Sequence, residues 1–389
     1  MPTYISSNAN RFYTALEGAY GEVGAIQAAN RIPAVKLVVQ QQSATAQRQD
    51  KTGSRTFTGQ PSGGRRKTTF ELRTYLTSWA KTDAPAYGPL FQAALGGAPS
   101  AFGGGAVASC SAQGRLAFAT PHGLTPGQAV VCGGEIRFAA ALVDDHTVQV
   151  NAPFTVTPAA GATVSGTMTY TPATELPSAT IFDYWSPSTA IQRMLRGAAV
   201  DQMEILVNGD YHEARFKGVA QDVLDSATFS GEAGGLSAFP EEPAAADFDY
   251  SIVPGNMGQA WLGSSPNQFF TITSASVVVK NELDTRSREF GSNVPRAIAP
   301  GQRSVVAAFE LYSRDDDATR ELYEAARQES PIGVMFQLGE VEGQLMGVWL
   351  KSVVPDVPEF DDGENRLQWR FRSARAIGTV DDEVVVAFG

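Results

Sequence analysis

The chain of 389 residues is 43% hydrophobic, only 18% charged, and carries a formal net charge of −11. That length exceeds one ordinary core and suggests two or three domains at roughly 100 to 200 residues each. The acidic balance excludes a protein that grips nucleic acid by neutralising phosphates. Charge content below the roughly 25% of typical soluble chains suits a subunit that covers much of its surface with neighbours.

Taken in order, residues 1–15 show no basic start followed by an apolar core, so no secretory leader is read there and folding in a cytoplasm is expected. Residues 67–76 alternate, with Thr68, Phe70, Leu72, Thr74 and Leu76 on one face and Lys67, Glu71 and Arg73 on the other, which is the period of a half-buried strand. Residues 89–95 form a short helix, opened by Pro89 and stopped by Gly96 and Gly97. The Gly-rich stretch from 96 to 111 introduces about 60 residues of short strands and turns. Cys110 and Cys132 lie within it, too few and too far apart for a disulfide framework or a zinc site, and are read as buried small hydrophobes, with a single bridge as the alternative.

Residues 231–247 are rich in Gly, Ala and Pro and read as a linker. Beyond it, residues 304–312 form a strand with Val305, Ala307, Phe309 and Leu311 together. Residues 317–328 form a helix with acids at its start, and 366–372 form a strand that places Leu367, Trp369 and Phe371 inward.

An ordered repeat organises these elements. Residues 35–39 lead through a long polar loop to Phe70-Glu71-Leu72, and residues 276–279 lead through a similar loop to Phe309-Glu310-Leu311. Val38 to Phe70 and Val277 to Phe309 are both 32 positions. Each half then shows a helix, a turn (Asn208-Gly209-Asp210 and Asp362-Gly363-Glu364) and a strand with an Arg-Phe pair, Arg215-Phe216 and Arg370-Phe371. The expected organisation is a mainly β chain in which one fold occurs twice. The first copy occupies 1–97 and 172–230, a small inserted β-module 98–171, a linker 231–250, and the second copy 251–389.

Chemistry-bearing motifs are sparse. HExxH, GxSxG, a Walker loop and GxGxxG do not occur. His122, His146 and His212 read as turn or hairpin residues, and Asp144-Asp145-His146 as a solvated turn rather than a metal site. The acidic clusters at 315–317, 361–362 and 381–383 have local explanations as a helix start, a hairpin turn and a C-terminal turn, rather than paired glycosidase carboxylates. Arg65-Arg66-Lys67 reads as a loop end, with pairing to an acidic neighbour open. No catalytic, cofactor-binding or metal-binding residue is assigned.

The segment Tyr4-Ile5-Ser6-Ser7-Asn8-Ala9-Asn10-Arg11-Phe12-Tyr13, running to Glu17-Gly18-Ala19-Tyr20-Gly21, together with the repeated strand, loop, strand series and the hairpin leading to Phe216-Lys217-Gly218, resembles the major tail tube proteins of long-tailed bacteriophages, in a version with two tail-tube folds per chain. The resemblance implies two β-sandwich or barrel domains, each with a flanking helix. It implies rings of three chains, stacked through loops at about 41–66 and 281–303, around a channel that DNA traverses unbound. It further implies a virion location, assembly in the host bacterial cytoplasm, and tape-measure, tail terminator and distal tail proteins as partners. Acidic side chains are then expected along the lumen, since charge acts only within about 8 to 10 Å at physiological salt. The alternative is a β-sandwich carbohydrate- or receptor-binding tail component, which would group exposed aromatics on one face.

Overall fold

The computed structural model describes residues 4–44, 50–56, 59, 63–77, 79, 84–244 and 251–389. The first half opens with β1 (Asn10–Leu16), the short β2 (Arg31–Ile32), β3 (Ala34–Ser43) and β4 (Arg66–Tyr75). On β4 the alternation read from the sequence holds: Thr68, Phe70, Leu72 and Thr74 are buried, and the residues between them are not. Helix α1 (Gly88–Leu95) has Pro89 in its first turn and stops at Gly96, whose φ of +99° suits glycine. It buries nearly all its side chains because it lies inside the core.

Next come β5 (Ser100–Phe102), then the module strands β6 (Gly105–Cys110), β7 (Arg115–Phe118), β8 (Ala129–Cys132), β9 (Glu135–Leu142), β10 (Thr147–Val150) and β11 (Thr163–Val164). The chain returns through β12 (Thr167–Tyr170) to β13 (Ala179–Trp185), β14 (Arg193–Val207), β15 (Glu213–Ala220) and β16 (Asp222–Asp225). The second half comprises β17 (Gly258–Gly263), β18 (Asn267–Gln268), β19 (Ile272–Lys280), the arm pair β20 (Asp284–Thr285) and β21 (Ile298–Ala299), and β22 (Ser304–Tyr312). Helix α2 (Asp317–Arg327) follows, capped by Asp316, whose carboxylate accepts from the Thr319 N–H at 2.9 Å. The chain closes with β23 (Ile332–Leu338), β24 (Met346–Val354), β25 (Glu359–Asp361), β26 (Gln368–Ala376) and β27 (Val385–Phe388).

The pairing is antiparallel and the protein is mainly β, as expected. The same connectivity occurs twice. In the first half the ladders run β1–β13–β14–β15–β4–β3, with β16 also on β14. In the second they run β17–β23–β24–β26–β22–β19, with β27 also on β24. Each helix sits at the same point in its series, between β4 and β13 or between β22 and β23. In both halves one long strand path turns from one layer into the other. In β14 the turn comes at a bulge between Val200 and Gln202, where the Ala199 carbonyl lies so close to Gly218 that a Cβ would fall 1.9 Å from it.

The repeat read from sequence is right in order but not in register. Val39 opposes Phe70, whereas Ala275 opposes Phe309, so Val39 corresponds to Ala275 and the equal 32-residue spacings align β3 three residues out of place. Leu72 opposes Phe216 while Leu311 opposes Trp369, so the partner of Phe216 is Trp369 rather than Phe371. The loops differ in length by a few residues, and a run of β-branched residues offers no landmark to expose the slip. Leu367, expected inward, lies before β26 and is 38% exposed, while Trp369 and Phe371 are buried.

The module closes on itself. Its strand order is β11–β6–β7–β10–β9–β8, and a bridge from Val131 to Ser165 brings β8 back beside β11. Inside are Val107, Leu116, Phe118, Val130, Val148 and Val164. Cys132 is buried, but Cys110 is only half buried, and both thiols are free. Outside, Ile136 and Phe138 pack on Trp261, Met335 and Trp349 of the second half. The segment read as a linker is tied down up to residue 244. Phe229, Leu236 and Phe239 cover Tyr13, Phe182 and Tyr184, and Glu242 accepts from Arg11 and from the Tyr13 hydroxyl. Residues 245–250 of that segment lie outside the described residues.

Candidate assembly interface

Where the halves meet, the chain builds a sheet joint from its own two copies. The C-terminal part of β14 pairs with β19 over Gln202 to Val207 and Ala275 to Lys280, with Glu204 opposite Val278 and Ile205 opposite Val277. Ile205, Val277 and Val279 are fully buried, so the ladder is welded by apolar packing as well as by backbone hydrogen bonds. The joined sheet runs β3–β4–β15–β14–β19–β22–β26–β25, eight strands across both halves.

The two outer strands of that sheet are the repeats of the two strands at the joint. β3 occupies in the first half the place of β19 in the second. β25 continues the path of β24 and pairs with β26 through Phe360 opposite Trp369, as β14 pairs with β15 through Met203 opposite Phe216. Among the described residues β3 has a ladder only with β4, and β25 only with β26. Each therefore presents an open edge, which proteins normally cover or block.

The solvent face of this sheet carries both signs of charge in cross-strand pairs. Arg73 meets Glu213 at 2.8 Å, Arg215 meets Glu204 at 3.6 Å, Lys217 meets Glu71 at 3.8 Å, Arg370 meets Glu310 at 3.5 Å, and Arg372 meets Glu359 at 2.9 Å. Exposed pairs of this kind add about 0 to 1 kcal/mol each, so their main effect is to neutralise one another. Lys36, Lys67 and Lys280 are exposed on the same face, and among the described residues no carboxylate pairs with them. Acid also collects at turns: Asp315 and Asp317 before and in α2, where Arg320 meets Asp317, Asp362 and Glu364 in the β25–β26 hairpin, and Asp381 and Asp382 near the C-terminus, paired with Arg303 and Lys351.

Both long loops leave the same end of the sheet. The loop at 281–303 folds as the β20–β21 arm. It touches the start of β4, where the Arg66 N–H donates to the Asn293 carbonyl at 2.7 Å and the Arg65 guanidinium to the Arg288 carbonyl at 3.0 Å. Residues 45–49, 57–58 and 60–62 of the loop at 41–66 lie outside the described residues.

The histidines and acids are not brought together. The ring of His122 accepts from the Leu124 N–H and faces the Asp144 carbonyl, and the Asp144 carboxylate accepts from the His146 N–H, which holds its pKa below the usual value. His212 is buried far from both, and burial lowers its pKa. Among the described residues no group of three or more His, Cys, Asp or Glu is placed to hold a metal. What sequence reasoning missed is Arg137, a fully buried guanidinium. It pairs with Glu135, donates to Gln259 and Gln337, and lies 4.9 Å from the Trp261 ring centroid. The only sequence signal was a lone Arg in an apolar strand.

No protein-family model matches the chain, and no curated protein does. Among the solved structures that match, the SPP1 tail tube determined by solid-state NMR and cryo-EM aligns with 34% of this chain and 79% of its own at 18% identity, with a TM-score of 0.27. A likeness that slight carries no argument, and the functional reading rests on the geometry.

Proposed function

We propose that the chain is a non-enzymatic structural subunit of a phage tail tube, three copies of which close a ring. The observation that carries this is the joint itself. A strand of the first repeat, β14, pairs with β19, the second-half counterpart of β3, and the same two strand types stand open at the outer edges as β25 and β3. Repeating the internal joint between molecules, β25 of one copy on β3 of the next, is a head-to-tail contact that closes if the rotation allows.

The size is consistent with a conduit. Eight strands from each of three copies make a closed sheet of about 24 strands. At about 4.8 Å per strand and a tilt of about 35–45°, the backbone diameter is about 45–50 Å, leaving room for a DNA duplex inside the side chains. In this reading the channel wall is the mixed-charge face, so DNA slides past because most of its cations are already held by carboxylates of neighbouring strands, rather than because the wall is acidic. The arms reach the adjacent ring, the module sits outside the sheet, and tape-measure, terminator and distal tail proteins meet the tube's ends within the virion.

Light scattering and negative-stain microscopy of the purified chain test this. Trimers that appear as rings or stacked rings are expected. A chain that stays monomeric at high concentration, with or without sugar affinity, overturns the reading.

A further inference from the structure

The two ends of the eight-stranded sheet differ in a way that fits one to the other. At the arm end, Phe290 stands 99% exposed near the tip of the β20–β21 arm, an unusual position for a large aromatic side chain. Within six positions of it the arm carries Arg286, Arg288 and Arg296 against Asp284 and Glu289. At the opposite end, a strand length of about 30 Å away, a cavity of about 240 Å³ opens between the β14–β15 turn and the start of β19. Its lining is mixed, with Asn208, Asn256, Gln268 and Gln337 beside the apolar side chains. Its mouth carries Met257 and Phe270, 40% and 77% exposed, with Ile272 and Phe269 within. The cavity lining itself holds no Asp or Glu, but the turns at this end of the sheet are acidic, with Asp210, Asp315, Asp362 and Glu364 exposed against Arg314 and Arg366.

The cavity also holds an unmet polar group. His212, 1% exposed, lines its wall with Nε2 2.8 Å from the Met257 carbonyl. Nε2 therefore carries the hydrogen and Nδ1 is an acceptor, yet among the described residues no donor reaches Nδ1.

We propose that Phe290 of one copy seats in the Met257–Phe270 cavity of a second copy in the adjacent ring, with the arm's arginines facing the acidic turns at that end of the sheet. The proposal rests on the ring reading above and names the residues that make its axial contact. The seated ring covers apolar surface on both partners, the opposite charges set the polarity of stacking, and the arm tip brings backbone N–H donors to the neighbourhood of His212. Because arm and cavity lie at opposite ends, the contact cannot close within one ring and propagates along an axis.

The test is negative-stain microscopy and sedimentation of the full chain and of two variants, Phe290→Asp and Phe270→Asp. Both positions are exposed, so folding should be unaffected, and formation of single rings verifies it directly. The wild type is expected to stack, and each variant to give single rings with at least a tenfold loss of stacked species. Phe290→Asp rings that stack like the wild type overturn the plug alone. Loss of stacking in Phe290→Asp but not in Phe270→Asp overturns this cavity as the receptor. A wild-type chain that forms no rings overturns the assembly reading and the plug with it.

Discussion

Ile205 of β14 and Val277 of β19 stand opposite each other, both fully buried, on the ladder that sews the first half of the chain to the second. Truncating Ile205→Ala leaves a cavity at the joint, and the cost should be about 2–5 kcal/mol. Chemical denaturation of the single variant measures it. A loss under 1 kcal/mol would mean that the two halves are stable without the joint.

Register transfer from this joint gives a sharper expectation. Glu204 opposes Val278 within the chain, Glu204 corresponds to Asp361 and Val278 to Gln42, so Asp361 of one copy should oppose Gln42 of the next. The double variant Gln42→Cys/Asp361→Cys should form disulfides between copies on mild oxidation, giving a covalent trimer on a non-reducing gel. The single variants control for the native thiols of Cys110 and Cys132.

His212 should make stability fall in mild acid. Its folded pKa is lowered from 6.5 by burial, against which the hydrogen bond to Met257 works. The unfolded chain therefore takes up a proton before the folded one does. The stability of the neutral imidazole is fully present above about pH 6.5 and is lost as the pH falls below it. The difference in unfolding free energy between wild type and His212→Asn, measured from pH 7.5 to 5, should shrink toward the acid end; a constant difference would refute the assignment.

Arg137 should be a strong point of attachment for the module. Burial pushes its pKa down to about 10, against the pull of Glu135, so it stays charged at neutral pH. Replacing it by Met strands the Glu135 carboxylate without its cation and should cost about 3–5 kcal/mol. Because Trp261 lies under the guanidinium, its fluorescence should report the loosening. In Arg137→Met/Glu135→Gln part of the stability should return.

Much of the fold was legible because strand alternation is written locally. Phe70 and Leu72 face inward on β4, as Val305, Ala307, Phe309 and Leu311 do on β22, and those periods survive any tertiary arrangement. The Asp316 cap and the Gly96 stop are likewise short-range chemistry. The anchoring of the segment at 231–244 was not legible because its contacts, Glu242 on Arg11 and Phe239 beside Phe229, are long-range or isolated in a Gly- and Pro-rich run.

The sequence by itself determined that this is a β-rich chain with one order of elements used twice and a module set into the first copy, since periodicity, turns and element order are properties of neighbouring residues. Only the tertiary structure decided which strands pair and in what register. The three-residue slip of β3, the exchange of Phe371 for Trp369, and above all the joining of β14 to β19 depend on backbone hydrogen bonds between residues far apart in the chain. A ladder can slide by two residues and keep every side chain on its face, so alternation could not separate Phe371 from Trp369. The three-residue slip of β3 exchanges its faces and went unread because 35–39 and 276–279 are nearly unbroken apolar runs in which little alternation marks a face.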